Sequence, residues 1–158
     1  MPSTLAHAAS ASLVALTFAR IRPNESSYIL VAVIAASIVD VDHLYYAIRD
    51  RAMYRRLGWR GNLHHARSLF HELFGLLAVG VLAGLLFLFD PRLARVVFIA
   101  FSVHLAQDWL VGQSAPFAPV DRAAIRFFSP TFRQKVMIDV TLLATSGVLW
   151  TMFLAGAF

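Results

Sequence analysis

Five long apolar segments, separated by polar or basic stretches, are the feature that most constrains how this chain can fold. Of its 158 residues, 59% are hydrophobic and only 15% are charged, whereas soluble domains have about 25% charged residues. With so few charged residues, most of the surface of the folded chain is expected to be apolar and to face lipid. The pattern therefore predicts an all-α, polytopic membrane helical bundle of about five helices, with residues 1–158 forming a single domain. The apolar segments are residues 4–18, 27–48, 71–89, 93–111 and 134–157.

The segments differ in how well their length suits a membrane. A spanning helix needs about 20 mainly apolar residues, and the third, fourth and fifth segments meet that length. The second meets it only if its acidic end, after Val39, reaches the interface. The first is marginal and could be a buried helix. Because proline disfavours helix in the residue before it, Asp90-Pro91 is expected to end the third segment, and Gly112 ends the fourth.

The distribution of lysine and arginine predicts the orientation. The connections after segments two and four carry ten of these residues, and those after segments one and three carry four. Cytoplasmic loops are enriched in Lys and Arg, so the N-terminus is expected in the cytoplasm. The arginines are scattered and no nucleic-acid-binding motif accompanies them, so we expect no nucleic-acid partner. Before Arg20 there is no basic region followed by a cleavage site, and no removable signal peptide is expected.

With this orientation, the histidines and nearly all candidate acids lie at the cytoplasmic ends of the segments; Asp90 is the exception. Side chains at one depth on different helices can meet although they are far apart in sequence. The sequence therefore predicts one site at the cytoplasmic membrane surface. Its candidates are His7, Asp40, Asp42, His43, His64, His65, His71, His104, Asp108 and Asp139.

The strongest local pair is His104-x-x-x-Asp108, which places an imidazole and a carboxylate on one helix face. Such a pair can bind one metal ion, or one side chain can orient the other. Ionisable groups inside a membrane are costly, and they are therefore functional candidates by default. The alternative is an interhelical hydrogen bond that only ties the bundle together.

Asp40-Val-Asp42-His43 is the second motif. In a continuous helix Asp40 and His43 share a face, while Asp42 points away, so all three can converge only where the helix loosens. Two nearby carboxylates repel each other unless a cation lies between them or one is protonated. The alternative is an acidic helix end beside the basic loop. The spacing does not decide which aspartate is a ligand.

The stretch from His64 to Glu72 is the third motif. One of His64 and His65 is expected to be an exposed loop residue. For Glu72, the alternative to a role in the site is a favourable interaction with the positive end of a helix dipole. Arg67 could pair with a phosphate or carboxylate, or be one of the cytoplasmic arginines. His7, alone in an Ala/Ser-rich segment, is either a ligand or a packed, hydrogen-bonded residue.

The chemistry that these residues predict is metal-assisted hydrolysis. The chain has no cysteine, so nitrogen and oxygen atoms must be the ligands, which suits Zn²⁺ or Mn²⁺. Neither a Gly-rich phosphate loop nor a Gly-x-Ser-x-Gly motif is present. A Ser/His/Asp triad with Ser68 or Ser102 stays an alternative, but nothing in the sequence marks either serine. A divalent ion that activates water is the simplest mechanism.

The motifs together resemble the YdjM-like family of inner-membrane proteins, described as membrane-bound metal-dependent hydrolases and, for one member, as LexA-binding. The likeness extends from His7 to Pro130, and its specific parts are Asp40-Val-Asp42-His43 and His104-Leu-Ala-Gln-Asp108. One departure concerns the family's His-Arg-Gly-x-Thr-His-Ser motif. Arg67 and His71 keep its spacing, but Ala66 replaces the first histidine, for which His65 or His64 could substitute. The clustered His and Asp residues more distantly resemble zinc-dependent phospholipase C, which implies phosphoester chemistry.

We therefore expect a hydrolase in the cell inner (cytoplasmic) membrane that acts on a phosphoester of a lipid or amphiphile. The expected cofactor is a divalent metal, Zn²⁺ before Mn²⁺, and the expected partners are membrane lipid, an amphiphilic substrate and an unidentified protein. The rival is a non-enzymatic regulatory or interaction protein with a structural metal site; a transporter is disfavoured because no charge lies at mid-depth. The expected metal ligands are His7, Asp42, His43, His71, His104 and Asp108. The expected catalytic residues are Asp40, His65 and Arg67.

Overall fold

A computed structural model of the protein describes residues 4–41, 48–49, 69–121 and 123–157. These residues include two 3-10 turns, Ile38–Asp40 and Leu69–His71, and one antiparallel pair of short strands, β1 (Gln113–Ser114) and β2 (Ile125–Arg126). Almost all other regular structure is helical, which confirms the all-α class. The five longer helices are α1 (Thr4–Phe18), α2 (Ser26–Ser37), α3 (Leu73–Phe87), α4 (Pro91–Val111) and α5 (Phe132–Leu154).

Helix α4 is the centre of the bundle and packs against α1, α2 and α3, while α1 also contacts α2 and α5. Small side chains fill the α1–α2–α4 contact: Ala11, Ala15, Ala36 and Ala100 are all fully buried there. Small residues allow helix backbones to approach closely, which is how helices pack in membranes, where lipid is as apolar as the helices. Because α4 contacts three helices, residues on its last turns can meet residues from three other elements.

The start of α4 shows why its predicted boundary was two residues late. Asp90 caps the helix, because its Oδ1 accepts hydrogen bonds from the backbone N–H groups of Arg92 and Leu93 at 2.9 and 3.0 Å. Pro91 takes the first helical position, where its missing N–H costs nothing and its fixed φ suits the helix. Asp90-Pro91 thus both ends one segment and begins the next.

Helix α3 is shorter than the sequence predicted. Residues 71–89 were expected to span a membrane, but the α-helix has 15 residues, Leu73–Phe87, and is about 22 Å long at 1.5 Å per residue. The preceding residues form the Leu69–His71 3-10 turn, and Glu72 is extended. Among the described helices, α4 and α5 are long and apolar enough to cross a membrane. The prediction that the third segment forms a helix long enough to span a membrane is therefore wrong.

The outer surfaces of α3 and α5 are strongly apolar. Leu77 and Val81 on α3 and Met137 and Val140 on α5 are each more than 60% exposed. Soluble monomers rarely expose contiguous apolar surface of this kind, whereas lipid covers it without cost. The exposed faces therefore fit a membrane environment.

An ionic cluster lies where the α1–α2 turn meets the start of α4. The Arg92 guanidinium donates two hydrogen bonds of 2.7 Å to the Glu25 carboxylate and lies over the Tyr28 ring. The Tyr28 hydroxyl in turn donates to Asp90 Oδ2 at 2.6 Å. The hydrogen bonds from Arg92 lower the pKa of Glu25, and the hydrogen bond from Tyr28 lowers the pKa of Asp90.

This cluster should make the protein more sensitive to acid. A carboxylate whose pKa is lowered by folding stabilises the folded state above its ordinary pKa, and this contribution is lost as the pH falls through the lowered value. We therefore expect the unfolding temperature of the wild type to fall more steeply from about pH 5 to about pH 3 than that of Glu25→Gln. Carboxylates elsewhere titrate in both proteins and cancel in the comparison. Equal slopes would contradict the prediction.

Candidate metal centre

Five ionisable side chains from four parts of the chain converge at one end of the bundle. His7 lies near the start of α1, Asp40 in the turn after α2, His71 in the turn before α3, and His104 and Asp108 in the last turns of α4. The His71 and His104 side chains are completely buried, and His7 is 2% exposed. The side chains of Asp40 and Asp108 are 9% and 8% exposed. The arrangement encloses three imidazoles and two carboxylates.

The end of α2 determines how Asp40 enters this cluster. The α-helix stops at Ser37 and continues as the Ile38–Asp40 3-10 turn. A 3-10 turn is wound more tightly than an α-helix, so it changes the direction in which the following side chains point. The sequence predicted that Asp40, Asp42 and His43 converge only where the helix loosens, whereas the structure has a tighter 3-10 turn at Ile38–Asp40. Because Asp42 and His43 lie outside the described residues, their convergence stays a prediction.

The four distances between the two carboxylates and the Nε2 atoms of His71 and His104 are too long for good hydrogen bonds. Asp40 Oδ1 lies 3.5 Å from His71 Nε2, and Asp40 Oδ2 lies 3.5 Å from His104 Nε2. Asp108 Oδ2 lies 3.6 Å from His71 Nε2 and 3.7 Å from His104 Nε2. Hydrogen bonds between N–H and O are about 2.7–3.2 Å long. By contrast, ligand atoms about 2.0–2.1 Å from a tetrahedral zinc ion are about 3.3 Å apart.

Asp108 connects two groups that could each hold a metal ion. One group is His7, His104 and Asp108, and the other is Asp40, His71 and Asp108. Asp108 Oδ1 lies 3.2 Å from His7 Nδ1, whereas Oδ2 faces His71 and His104. The two carboxylate oxygens thus face different histidines, so this residue could be a ligand in either group.

The donor atoms fit a divalent cation. Both ring nitrogens of His104, and Nε2 of His7, are buried and make no hydrogen bond to any described residue. A buried polar atom without a partner costs about 1–3 kcal/mol. Imidazole nitrogens and carboxylate oxygens are ligands of Zn²⁺ and Mn²⁺. A cation between the two carboxylates would bind Nε2 of His104, which faces both of them and makes no hydrogen bond to any described residue.

Several supporting contacts were not predicted from the sequence. The Trp109 indole N–H donates to the backbone carbonyl of His71 at 2.9 Å, and Gln107 Nε2 donates to the Ser10 hydroxyl at 2.8 Å. Gln107 and Ser10 each lie three residues after a cluster histidine, on the same helix face. The sequence signal that could have predicted the contact between Gln107 and Ser10 is a polar residue three positions after a histidine in each of two apolar helices.

Glu72 is the N-cap residue of α3, where its interaction with the helix dipole stays a prediction, and its carboxylate also has partners in the segment after α4. Its carboxylate accepts hydrogen bonds from the Ser114 hydroxyl and from the Ala115 backbone N–H, at 2.5 and 3.0 Å. The Leu73 N–H donates to the Pro116 carbonyl beside it. The segment after α4 is therefore joined to the start of α3, next to His71.

The remaining predicted residues have separate outcomes. Asp139 is the eighth residue of α5 and belongs to neither group of candidate ligands. Asp40, expected to be catalytic, lies in a position where it could be a ligand. The other predicted residues lie outside the described part of the chain: Asp42, His43, His64, His65 and Arg67.

Gly75 should be required for the position of His71. A Cβ atom on Gly75 would collide with the backbone of Phe70, in the turn that carries His71, whereas a Cβ on Gly84 of the same helix would meet nothing within 4 Å. We therefore expect Gly75→Ala to weaken metal binding about 10- to 100-fold, the usual effect of disturbing residues that position ligands. Gly84→Ala is the matched control and should bind metal like the wild type. Metal affinity would be measured by competition with a chelator. Equal affinities in the two variants would contradict the prediction.

The fold and the cluster define a helical membrane protein with a candidate metal centre. A family model described as YdjM inner membrane protein matches residues 1–158, the whole chain. The chain therefore belongs to this family, as its motifs predicted. Neither a curated protein nor a solved structure matches it. The family description and the two long apolar helices agree in assigning the protein to the inner membrane.

Proposed function

We propose that this protein is a metal-dependent hydrolase that cleaves a phosphoester of a lipid or amphiphile at the cytoplasmic face of the inner membrane. One observation carries the proposal: buried imidazole nitrogens and carboxylate oxygens from three elements lie 3.5–3.7 Å apart at one end of an apolar bundle, and His7 joins them from a fourth element. This spacing suits atoms that surround a shared cation better than atoms that bond to one another.

The proposed topology is multi-pass, with the N-terminus in the cytoplasm. Helices α1 and α3 begin at the cluster, and the stretches that contain α2 and α4 end there. A chain that returns four times to the same end of a bundle alternates in direction. The excess of Lys and Arg in the connections after the second and fourth segments assigns this end to the cytoplasm.

The residues would have distinct roles around a zinc or manganese ion. When bound, a divalent ion supplies Lewis-acid activation of water and of the phosphoryl group. Asp108 would hold it together with the other members of one of the two groups, either His7 and His104 or Asp40 and His71. Asp40, the most exposed of the five side chains, would be a further ligand or accept a proton from water. His7 Nδ1, 3.2 Å from Asp108 Oδ1, would orient that carboxylate or bind a second ion.

The predicted residues outside the described part would complete the site. Asp42 and His43 lie two and three residues after Asp40 in the sequence and would add ligands. His65 would act in proton transfer. Arg67 would bind the phosphate, because a guanidinium can donate two hydrogen bonds to it at once.

A second candidate is a non-enzymatic membrane protein with a structural metal site. The burial of the cluster favours it, because His71 and His104 have no exposed surface. Structural zinc sites are closed by four protein ligands, whereas catalytic sites leave one coordination position open. Each of the two groups already offers three of the four protein ligands that close a structural site.

Turnover by the purified protein tests the proposal. In lipid nanodiscs, wild type loaded with Zn²⁺ or Mn²⁺ should release phosphate from phosphatidic acid, lysophosphatidic acid or an isoprenoid monophosphate. We expect His104→Ala to reduce the rate at least about 100-fold, and a chelator should stop the reaction. Ser102→Ala on the same helix is the control and should retain activity. Bound metal without turnover of any phosphoester would instead favour the structural site, and full activity in chelator would exclude the proposed mechanism.

A further inference from the structure

We propose that a groove between α2 and α3 holds the hydrocarbon tail of an amphiphile whose anionic head lies at the His/Asp cluster. The position of the head rests on the proposed function, whereas the binding of the tail can be tested without it. The proposal names the substrate class as a membrane amphiphile with an apolar chain, rather than a soluble phosphoester.

The groove has a volume of about 600 Å³ and is lined by apolar side chains. This volume lies within the range of small-molecule sites, about 300–1,000 Å³. Phe101 at its base is buried, whereas Ile34, Ile38 and Leu82 along its sides are about half exposed. The groove is therefore open to the surrounding lipid along its length. Representative lining residues are Ile34, Ile38, Val79, Leu82, Val97 and Phe101.

One end of the groove is at the cluster. Lining residues run from Val31 on α2 through the Ile38–Asp40 turn to Val41, and so pass Asp40. On the α3 side they end at Phe70, the residue before His71. On α4 they end at Phe101, which is three residues before His104 and on the same face. Ten helical residues extend about 15 Å. The apolar groove is therefore about 15 Å long, and one end of it lies beside a set of buried ionisable groups.

This continuity indicates an amphiphile. Bulk lipid would cover any apolar face, but an occupant that uses the whole groove must be apolar along its length and able to meet a cation at its end. A lipid phosphate meets both requirements, since its tail matches the apolar walls and its anionic head matches a metal-loaded cluster. Within the part of the chain that the structure describes, the apolar face of α5 has no comparable group of candidate ligands at its end. A second copy of the chain could cover the groove with a helix surface, but such a surface has no anionic head group to place at the cluster.

Photolabelling tests the tail site directly. The probe is dodecyl phosphate with a diazirine near the end of its chain, used at low concentration in phosphatidylcholine nanodiscs. Excess dodecyl phosphate should abolish labelling of α2 and α3, whereas dodecyltrimethylammonium should not. Leu82→Trp, which fills the groove, should reduce this labelling about tenfold, equivalent to about 1.4 kcal/mol. Leu85→Trp is the matched control, because Leu85 lies on α3, is 57% exposed and does not line the groove. Labelling that is uncompeted, or equal in both variants, would overturn the proposal.

Turnover supplies a separate readout. Leu82→Trp should slow hydrolysis of dodecyl phosphate about tenfold and leave hydrolysis of para-nitrophenyl phosphate, which has no tail, unchanged; Leu85→Trp should change neither. If no form of the protein hydrolyses either compound, the proposed function fails, while competed labelling of the groove still supports the tail site. If Leu82→Trp slows both compounds equally, the groove does not select the tail.

Discussion

Replacing Asp108 by asparagine should abolish metal binding by the purified protein. Asp108 is the residue common to both groups of candidate ligands, and its two oxygens face different histidines. Asparagine keeps the size of the side chain but removes its charge and leaves one carbonyl oxygen as a weaker ligand. We expect an affinity loss of at least about 100-fold, equivalent to about 2.7 kcal/mol.

Elemental analysis of protein purified with equimolar Zn²⁺ or Mn²⁺, followed by chelator competition, would measure this loss. His7→Gln should have a smaller effect, because His7 belongs to only one of the two groups. Ser102→Ala is the control on the same helix, since the Ser102 hydroxyl makes no hydrogen bond to any described residue. Metal content that is the same in Asp108→Asn, Ser102→Ala and wild type would contradict a metal centre at this position.

The end of the bundle at which the candidate site lies could be predicted from the sequence. The place of a residue within its own apolar segment indicates its depth in the membrane, without knowledge of the other segments. The lengths of the apolar segments and the distribution of arginines between them predict on which side of the membrane each segment end lies. His7, Asp40, His71, His104 and Asp108 were all expected at the same end, and the structure brings them together. Their roles as ligands or catalytic residues stay predictions. Helix α1 has the predicted bounds because no proline, glycine or charge interrupts it.

Details that depend on distant parts of the chain could not be predicted in this way. The shortening of α3 accompanies contacts from the segment after α4, where Glu72 accepts hydrogen bonds from Ser114 and Ala115. These residues are more than 40 positions apart in the sequence, so no periodicity marks the contact. The position of Asp40 likewise depends on a 3-10 turn, whose preference is too weak in the sequence to distinguish it from the end of an α-helix.

Removing divalent metal should destabilise the wild-type protein strongly. Without a cation, the buried carboxylates Asp40 and Asp108 would lose the charge that opposes their mutual repulsion, and the buried nitrogens of His104 would lose a ligand that satisfies them. A ligand present at about 1,000 times its Kd stabilises the folded state by about 4 kcal/mol. For a chain of this size, that corresponds to a fall in unfolding temperature of about 10 °C.

The measurement is the unfolding temperature in nanodiscs with excess chelator, and again after Zn²⁺ or Mn²⁺ is restored. Asp108→Asn is the decisive comparison, because a protein that does not bind metal cannot lose stability when metal is removed. Its unfolding temperature should be the same with and without chelator, whereas that of Ser102→Ala should fall like the wild type. A chelator effect of the same size in Asp108→Asn would mean that the metal acts elsewhere, on the lipid or on another part of the chain. A wild type unchanged by chelator would exclude a tightly bound structural or catalytic ion at the cluster, because the linkage between binding and folding applies to both.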